Sequence, residues 1–290
     1  VTERRKIRAG IRATRYCRAQ TTRVLEYLQG QHPDVDFEIQ EIGGGDDGVL
    51  TALGTGLCDL HIRGARELPG ELPDDLEIAA CTQRDDPFDV LIAQEGHLLE
   101  DLPAGSVVAV DSSRVKVQLE SFREDVELQQ VDDTADRTFE RLNAGEIAAF
   151  VVAAEVVQTF GWQESVSEVF PPDIVLPAAG QGSIALLVRK GDETSLDVIR
   201  SVDDLVTRQV VLAERAFLAE LNVRPTDPVA VHGSFEDDTL VLEAMLGDEV
   251  SGAILRDDLD GEPQEEGDLG VRLAKLFMAD GARDYLASYK

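Results

Sequence analysis

Lysine is nearly missing from this chain. It occurs only at Lys6, Lys116, Lys190, Lys275 and Lys290, and arginine carries the rest of the positive charge. Acidic residues dominate, 57 Asp and Glu against 27 Lys and Arg, for a formal net charge of −30 at pH 7. A field of that sign repels polyanions, which argues against nucleic acid and anionic membranes as partners. An acidic, lysine-poor surface on a core of ordinary apolar content (43%) fits a cytoplasm at high salt, where screening removes the self-repulsion. A halophilic source is the expectation.

Cysteine is scarce too. Cys17, Cys58 and Cys81 are odd in number, show no paired spacing and sit in apolar or strand-like contexts. Buried free thiols in a reducing cytoplasm follow. His32, His61, His97 and His232 have no ligand spacing with one another or with cysteine, so no metal site is expected. No apolar run is long enough to span a bilayer, and the opening Val-Thr-Glu-Arg-Arg-Lys lacks the apolar segment of a signal peptide. A cytoplasmic monomer is the expectation.

What is present is a repeated alternation of strand and helix. Strands are expected at Lys6–Arg12, from Val35 to Ile42, through Leu60 and Ile62, and at Leu76–Cys81 and Val90–Ala93. A helix capped by Thr14 carries Val24, Leu25 and Leu28, and a short one covers Val49–Leu53. Gly43–Gly48 between them is a flexible connection and a poor phosphate cradle, since two carboxylates sit in it and no lysine follows. After Leu102–Gly105 the rhythm resumes. Strands are expected at Ser106–Val110, Val126–Val131 and Phe150–Ala153, with helices at Arg114–Phe122 and Arg137–Leu142. Beyond a strand at Ile184–Val188, helices at Leu196–Val202 and Val206–Leu221 lead to strands at Val229–Val231, Thr239–Leu246 and Gly252–Leu255. One last helix covers Leu269–Tyr289. Residues 1–97 with 174–205 form a first lobe, 98–173 a second, and 206–290 a small α+β domain.

Two stretches are candidates for chemistry. Gly56–Pro73 runs a strand into Arg63, breaks at Gly64 and continues through Arg66 and Glu67 in a turn. Open α/β folds place ligands at such strand ends, and solvated charged connections look the same. Asp111-Ser112-Ser113 caps the start of a helix beside Arg114 and Lys116, which fits either an anion site or an ordinary cap.

Several stretches in order then resemble the hydroxymethylbilane synthase (porphobilinogen deaminase) family. Leu176–Ser183, Leu-Pro-Ala-Ala-Gly-Gln-Gly-Ser, is similar to its Pro-Ala-x-Gly-Gln-Gly-Ala signature, and Ala213–Leu221 to its Ala-Glu-Arg-Ala-Phe-Leu helix. Leu142–Glu146, Arg84–Pro87 and Ala19–Thr21 match further motifs, and the resemblance runs from about Ile7 to Leu255. It implies an α/β fold of two periplasmic-binding-protein-like (type II) lobes around a cleft, plus a small C-terminal α+β domain. It also implies condensation of four porphobilinogen molecules to hydroxymethylbilane with loss of ammonia, in tetrapyrrole biosynthesis. In that family a dipyrromethane cofactor held by a cysteine thioether primes the chain. An aspartate stabilises positive charge on the pyrrole nitrogens, and arginines and lysines hold the acetate and propionate side chains.

Carried onto this sequence, the resemblance places Glu67 at the catalytic aspartate and Arg66 at the lysine of the same strand. It assigns Arg12, Arg63, Arg66, Ser112, Ser113 and Arg114 to substrate or cofactor binding. It also exposes departures. Pro225 stands where the cofactor cysteine belongs and offers no nucleophile, so covalent attachment is not expected. Asp132, Asp133 and Asp136 replace a basic segment, and the lid segment is reduced to Gly43–Gly48. The ligand implied is a small anionic pyrrole. The alternative is a catalytically inactive paralogue that binds an acidic small molecule or acts as a partner protein in tetrapyrrole metabolism.

Overall fold

The computed structural model describes residues 4–224, 226–262 and 266–289. The chain divides into two compact units, Val1–Asp85 with Ser183–Gln209, and Asp86–Gly182 with Val210–Lys290. In chain order the first contains β1 (Arg5–Ile11), α1 (Arg15–Gln31), β2 (Val35–Glu41), α2 (Gly45–Gly54), β3 (Leu60–Gly64) and β4 (Leu76–Cys81). The second continues with β5 (Asp89–Ala93), β6 (Val107–Val110), α3 (Ser113–Glu120), β7 (Glu127–Gln130), α4 (Ala135–Asn143), β8 (Ala149–Ala153), α5 (Ala154–Phe160) and β9 (Glu168–Val169). The chain then returns to the first unit for β10 (Ile184–Arg189) and α6 (Glu193–Ile199). It ends with α7 (Leu205–Leu221), β11 (Val229–Glu236), β12 (Thr239–Gly247), β13 (Ile254–Gly261), α8 (Glu266–Ala279) and α9 (Ala282–Ser288).

The sheet of the first unit has the order β2-β1-β3-β10-β4. β1 pairs in parallel with β2 and β3, while β10 runs antiparallel between β3 and β4. Thr14 caps α1 as its sequence suggests, accepting from Cys17 N at 3.1 Å. Val24, Leu25 and Leu28 of α1 then face Ile7, Leu60 and Leu186 in one core. Asp59 ties the base of this sheet together, accepting from Arg8 Nε and Nη2 at 2.8 Å each. Arg189 of β10 reaches the Leu53 and Cys58 carbonyls from the other side.

The sheet of the second unit repeats that order as β7-β6-β8-β5-β9. β6 is parallel to its neighbours, and β5 is the antiparallel strand between β8 and β9. Each sheet thus places one reversed strand in the same slot, the pattern of a type II periplasmic-binding-protein lobe. A further antiparallel sheet, β11-β12-β13, is covered by α7, α8 and α9 around Phe217, Leu242, Leu273 and Phe277. It adjoins the second sheet through Val117, Leu176, Ala230 and Met245.

Three boundaries move from the sequence reading. Residues 86–97 belong with the second sheet, because β5 pairs with β8 and not with the first sheet, and residues 174–182 fall with them in the second unit. A short apolar run such as Asp89–Ala93 looks the same whichever sheet it joins. The expected strand at Gly252–Leu255 instead runs Ile254–Gly261, carried past its apolar start by pairing along the whole of β12. The single last helix is two, α8 and α9, parted by Gly281 at φ 101°. The three cysteines are buried thiols outside any disulfide, as expected.

Candidate functional site

β3 carries the polar residues that a buried central strand ordinarily excludes. His61 and Arg63 are 2% and 4% exposed, alternating with the apolar Leu60 and Ile62. The strand ends at Gly64, and a tight turn, Ala65–Glu67, follows. That turn sends Glu67 back over its own strand, so that its Oε2 lies 3.1 Å from Arg63 Nε. Arg12, just past the end of β1, comes from the neighbouring strand, with Nη2 3.8 Å from Glu67 Oε1. Arg66 sits in the same turn, half-buried. The structure therefore brings Arg12, Arg63 and Glu67 together at the C-terminal ends of the adjacent strands β1 and β3.

A fourth charge completes the group. Asp46, in the first turn of α2, lies with Oδ1 3.2 Å from Arg12 Nε and in contact with Arg63 Nη1. The glycines on either side fix the path: Gly44 has φ +86°, and a Cβ on Gly48 would lie 2.0 Å from the Gly43 carbonyl oxygen. Two guanidinium groups thus face two carboxylates, and the charges balance. Burial pushes the Arg63 pKa down, opposed by the Glu67 carboxylate. Cys17 lies beside the group, its Sγ 3.7 Å from Arg12 Nη2. His61 donates from Nδ1 to the Gly10 carbonyl at 2.9 Å, and burial holds its pKa below the ordinary value.

The sequence did not single out Asp46, Cys17 or His61. Two aspartates in a glycine run and a histidine in an apolar strand were the visible signals, and neither reveals a neighbour far away in sequence.

Ser112, Ser113 and Arg114 belong to the second unit and have interior duties there. Ser112 caps α3, accepting from Val115 N, and donates to Asp111 Oδ1 at 3.0 Å. Ser113 donates to Gln130 Oε1 at 3.1 Å. Arg114, 3% exposed, donates two parallel hydrogen bonds of 2.9 Å to Asp89 and others to Leu176 O and Gln181 Oε1. Asp132 and Asp133 are exposed, and Asp133 pairs with Arg141. Pro225 lies outside the described residues.

The Leu176–Gly182 stretch and the α7 helix are bonded to each other. Glu214 of α7, fully buried, accepts from Gly180 N at 2.6 Å and from Gly233 N at 2.7 Å. Glu155 of α5 accepts from Gly182 N at 2.9 Å. Buried carboxylates on α5 and α7, held by backbone N–H groups, fix the path of Gly180–Gly182. Glu214 was also missed, although it stands on the same helical stripe as Val210, Phe217 and Leu221.

Among the described residues no group of three or more His, Cys, Asp and Glu is placed to hold a metal ion. No helix among them is long and apolar enough to cross a membrane.

Comparison with known proteins agrees with the motifs. The family model described as porphobilinogen deaminase, dipyromethane cofactor binding domain, matches residues 47–197. The model for the porphobilinogen deaminase C-terminal domain matches residues 208–279. The porphobilinogen deaminase of Roseiflexus castenholzii is 32% identical over 302 residues, covering 98% of this chain and 99% of that protein. That of Brevibacillus brevis is 31% identical over 301 residues, covering 97% of each. Among solved structures, a periplasmic substrate-binding protein of an ABC transporter from Coxiella burnetii overlays with a TM-score of 0.47 at 13% identity. That overlay covers 68% of this chain and 91% of that one. With two family models matching in order and relatives aligned from end to end, this chain belongs to the porphobilinogen deaminase family of tetrapyrrole biosynthesis.

Proposed function

We propose that the chain binds the carboxylate side chains of porphobilinogen at Arg12 and Arg63 and carries out hydroxymethylbilane synthesis there, condensing four porphobilinogen with release of ammonia. The observation that carries this reading is the convergence of Arg12, Arg63 and Glu67 at the end of β3. Two guanidinium groups are the donors suited to a carboxylate. Glu67 stands as the anion toward which positive charge on a pyrrole nitrogen would develop. Arg66 in the same turn is a further ligand contact in this reading, whereas Ser113 and Arg114 are taken up by Gln130 and Asp89 inside the second unit and Ser112 caps α3.

Thioether attachment of a dipyrromethane does not fit the residues present. Pro225 takes the expected position, and the chain's cysteines, Cys17, Cys58 and Cys81, all lie buried in the first unit. The pocket lined by Arg224, Thr226, Asp227, Asp248 and Glu249, among others, holds more carboxylates than cations and would repel an acidic cofactor. Synthesis in this chain therefore proceeds without a covalently held primer.

The test is porphobilinogen consumption by the purified chain in high salt, with intact mass measured beside it. Turnover with an unmodified mass supports the proposal; absence of turnover refutes it. A second reading, a binding protein without the deaminase reaction, is favoured by Asp46, which neutralises the arginine pair, and by Pro225. Binding of porphobilinogen without consumption selects it. The acidic surface supports a monomer working in a salt-rich cytoplasm, without nucleic acid or membrane partners. Equal stability in molar and millimolar salt would refute the halophilic assignment.

A further inference from the structure

Asp46 is placed where a ligand's carboxylate would go. Its Oδ1 touches both Arg12 and Arg63, so a single carboxylate oxygen bridges the two guanidinium groups. Glu67 holds the opposite edges of the same arginines. Arg12 Nε, Arg63 Nε, Arg63 Nη1, Asp46 Oδ1 and Glu67 Oε2 all lie in these ion pairs.

The two carboxylates are not equally fixed. Glu67 shares a tight turn with Arg63 and pairs with it four residues along the chain. Asp46 is the more exposed, 35% against 21% for the side chains, and follows three successive glycines in an exposed segment. Swung outward, Asp46 would remain in the first turn of α2, where the helix dipole still favours a negative charge. Its departure therefore costs less than that of Glu67.

We propose that Asp46 is a tethered carboxylate that sets the ligand specificity of the Arg12–Arg63 pair. A ligand binds by exchanging its own carboxylate for that of Asp46, and ligands without one are refused. This rests on the reading that the arginine pair takes a ligand carboxylate. The exchange lowers apparent affinity by the fraction of molecules in which Asp46 has left the pair, and removing the tethered charge restores it.

The experiment is calorimetric titration of the full chain with porphobilinogen and, separately, with succinate. It compares the parent with Asp46→Asn, Asp46→Ser and the control Asp47→Asn, which removes the same charge from the adjacent exposed residue. Asn and Ser are both well tolerated at a helix start. The expected result is binding tightened by roughly tenfold or more in both Asp46 variants and unchanged in Asp47→Asn. Tightening for succinate with no porphobilinogen binding in any form upholds the role of Asp46 and refutes the pyrrole reading. Asp46 variants indistinguishable from Asp47→Asn with both probes, including no binding throughout, overturn the proposal.

Discussion

Arg114 and Asp89 form a two-pronged ion pair sealed inside the second unit, with Nη1 and Nη2 each donating at 2.9 Å to one carboxylate oxygen. Neither residue exceeds 3% exposure. Such a pair is expensive to break from one side, because the remaining charge stays buried. Arg114→Met is expected to destabilise the unit by about 3–5 kcal/mol, and Arg114→Met with Asp89→Leu by much less. Urea unfolding of the single and double variants measures this. A single variant as stable as the parent would show that the pair is not what holds Leu176 and Gln181 in place.

Glu67 gives the kinetic counterpart. Glu67→Gln keeps the shape and removes the charge, so porphobilinogen consumption should fall by roughly 10²–10³-fold in kcat, with a smaller change in KM. Glu67→Asp should retain more activity than Glu67→Gln. Steady-state kinetics decides, and equal activity in Glu67→Gln and the parent would remove the electrostatic role.

His61 makes stability depend on pH with a defined sign. Burial, assisted by Arg12, lowers its pKa from the ordinary 6.5, so the unfolded chain takes up a proton at higher pH than the folded one. Its contribution is therefore intact above about pH 6.5 and is lost as pH falls through the lowered folded value. Melting temperature should drop between pH 7 and pH 5, and less steeply in His61→Gln. Parallel pH profiles for the two proteins would assign the acid sensitivity elsewhere.

Gly270 offers a case where two effects oppose each other. Alanine in the interior of α8 should add about 1 kcal/mol by helix propensity alone. Its Cβ would, however, lie 2.2 Å from the Ala213 carbonyl oxygen and 2.9 Å from Ala216 Cβ on α7. Backbone cannot yield as a side-chain tip can, and overpacking of this kind costs about 1–3 kcal/mol. Gly270→Ala should therefore lower the melting temperature, and a rise would mean that α7 and α8 separate freely.

The sequence carried local facts well and distant ones poorly. Thr14 and Ser112 announced their helices because a cap is a relation between residues three apart. Arg12, Arg63 and Glu67 were reachable only through the resemblance, since nothing in residues 5–70 says that the ends of β1 and β3 adjoin. Asp46 was hidden by the path of a glycine run, whose direction composition does not encode. Glu214 was legible in principle, as a carboxylate within an otherwise apolar stripe. β5 was assigned to the wrong lobe because an apolar strand of five residues carries no mark of its partner.

The reversed strand in each sheet has a consequence for the order in which the chain can assemble. β4 pairs only with β10, which lies more than 100 residues further along. On a ribosome β4 would emerge without a neighbour and wait until Ile184–Arg189 had been made. The sheet of the second unit, by contrast, is complete in one contiguous stretch from Asp89 to Val169. The half encoded later is thus the half equipped to fold first, and the strand bearing Arg63 gains its second neighbour only once β10 has been made.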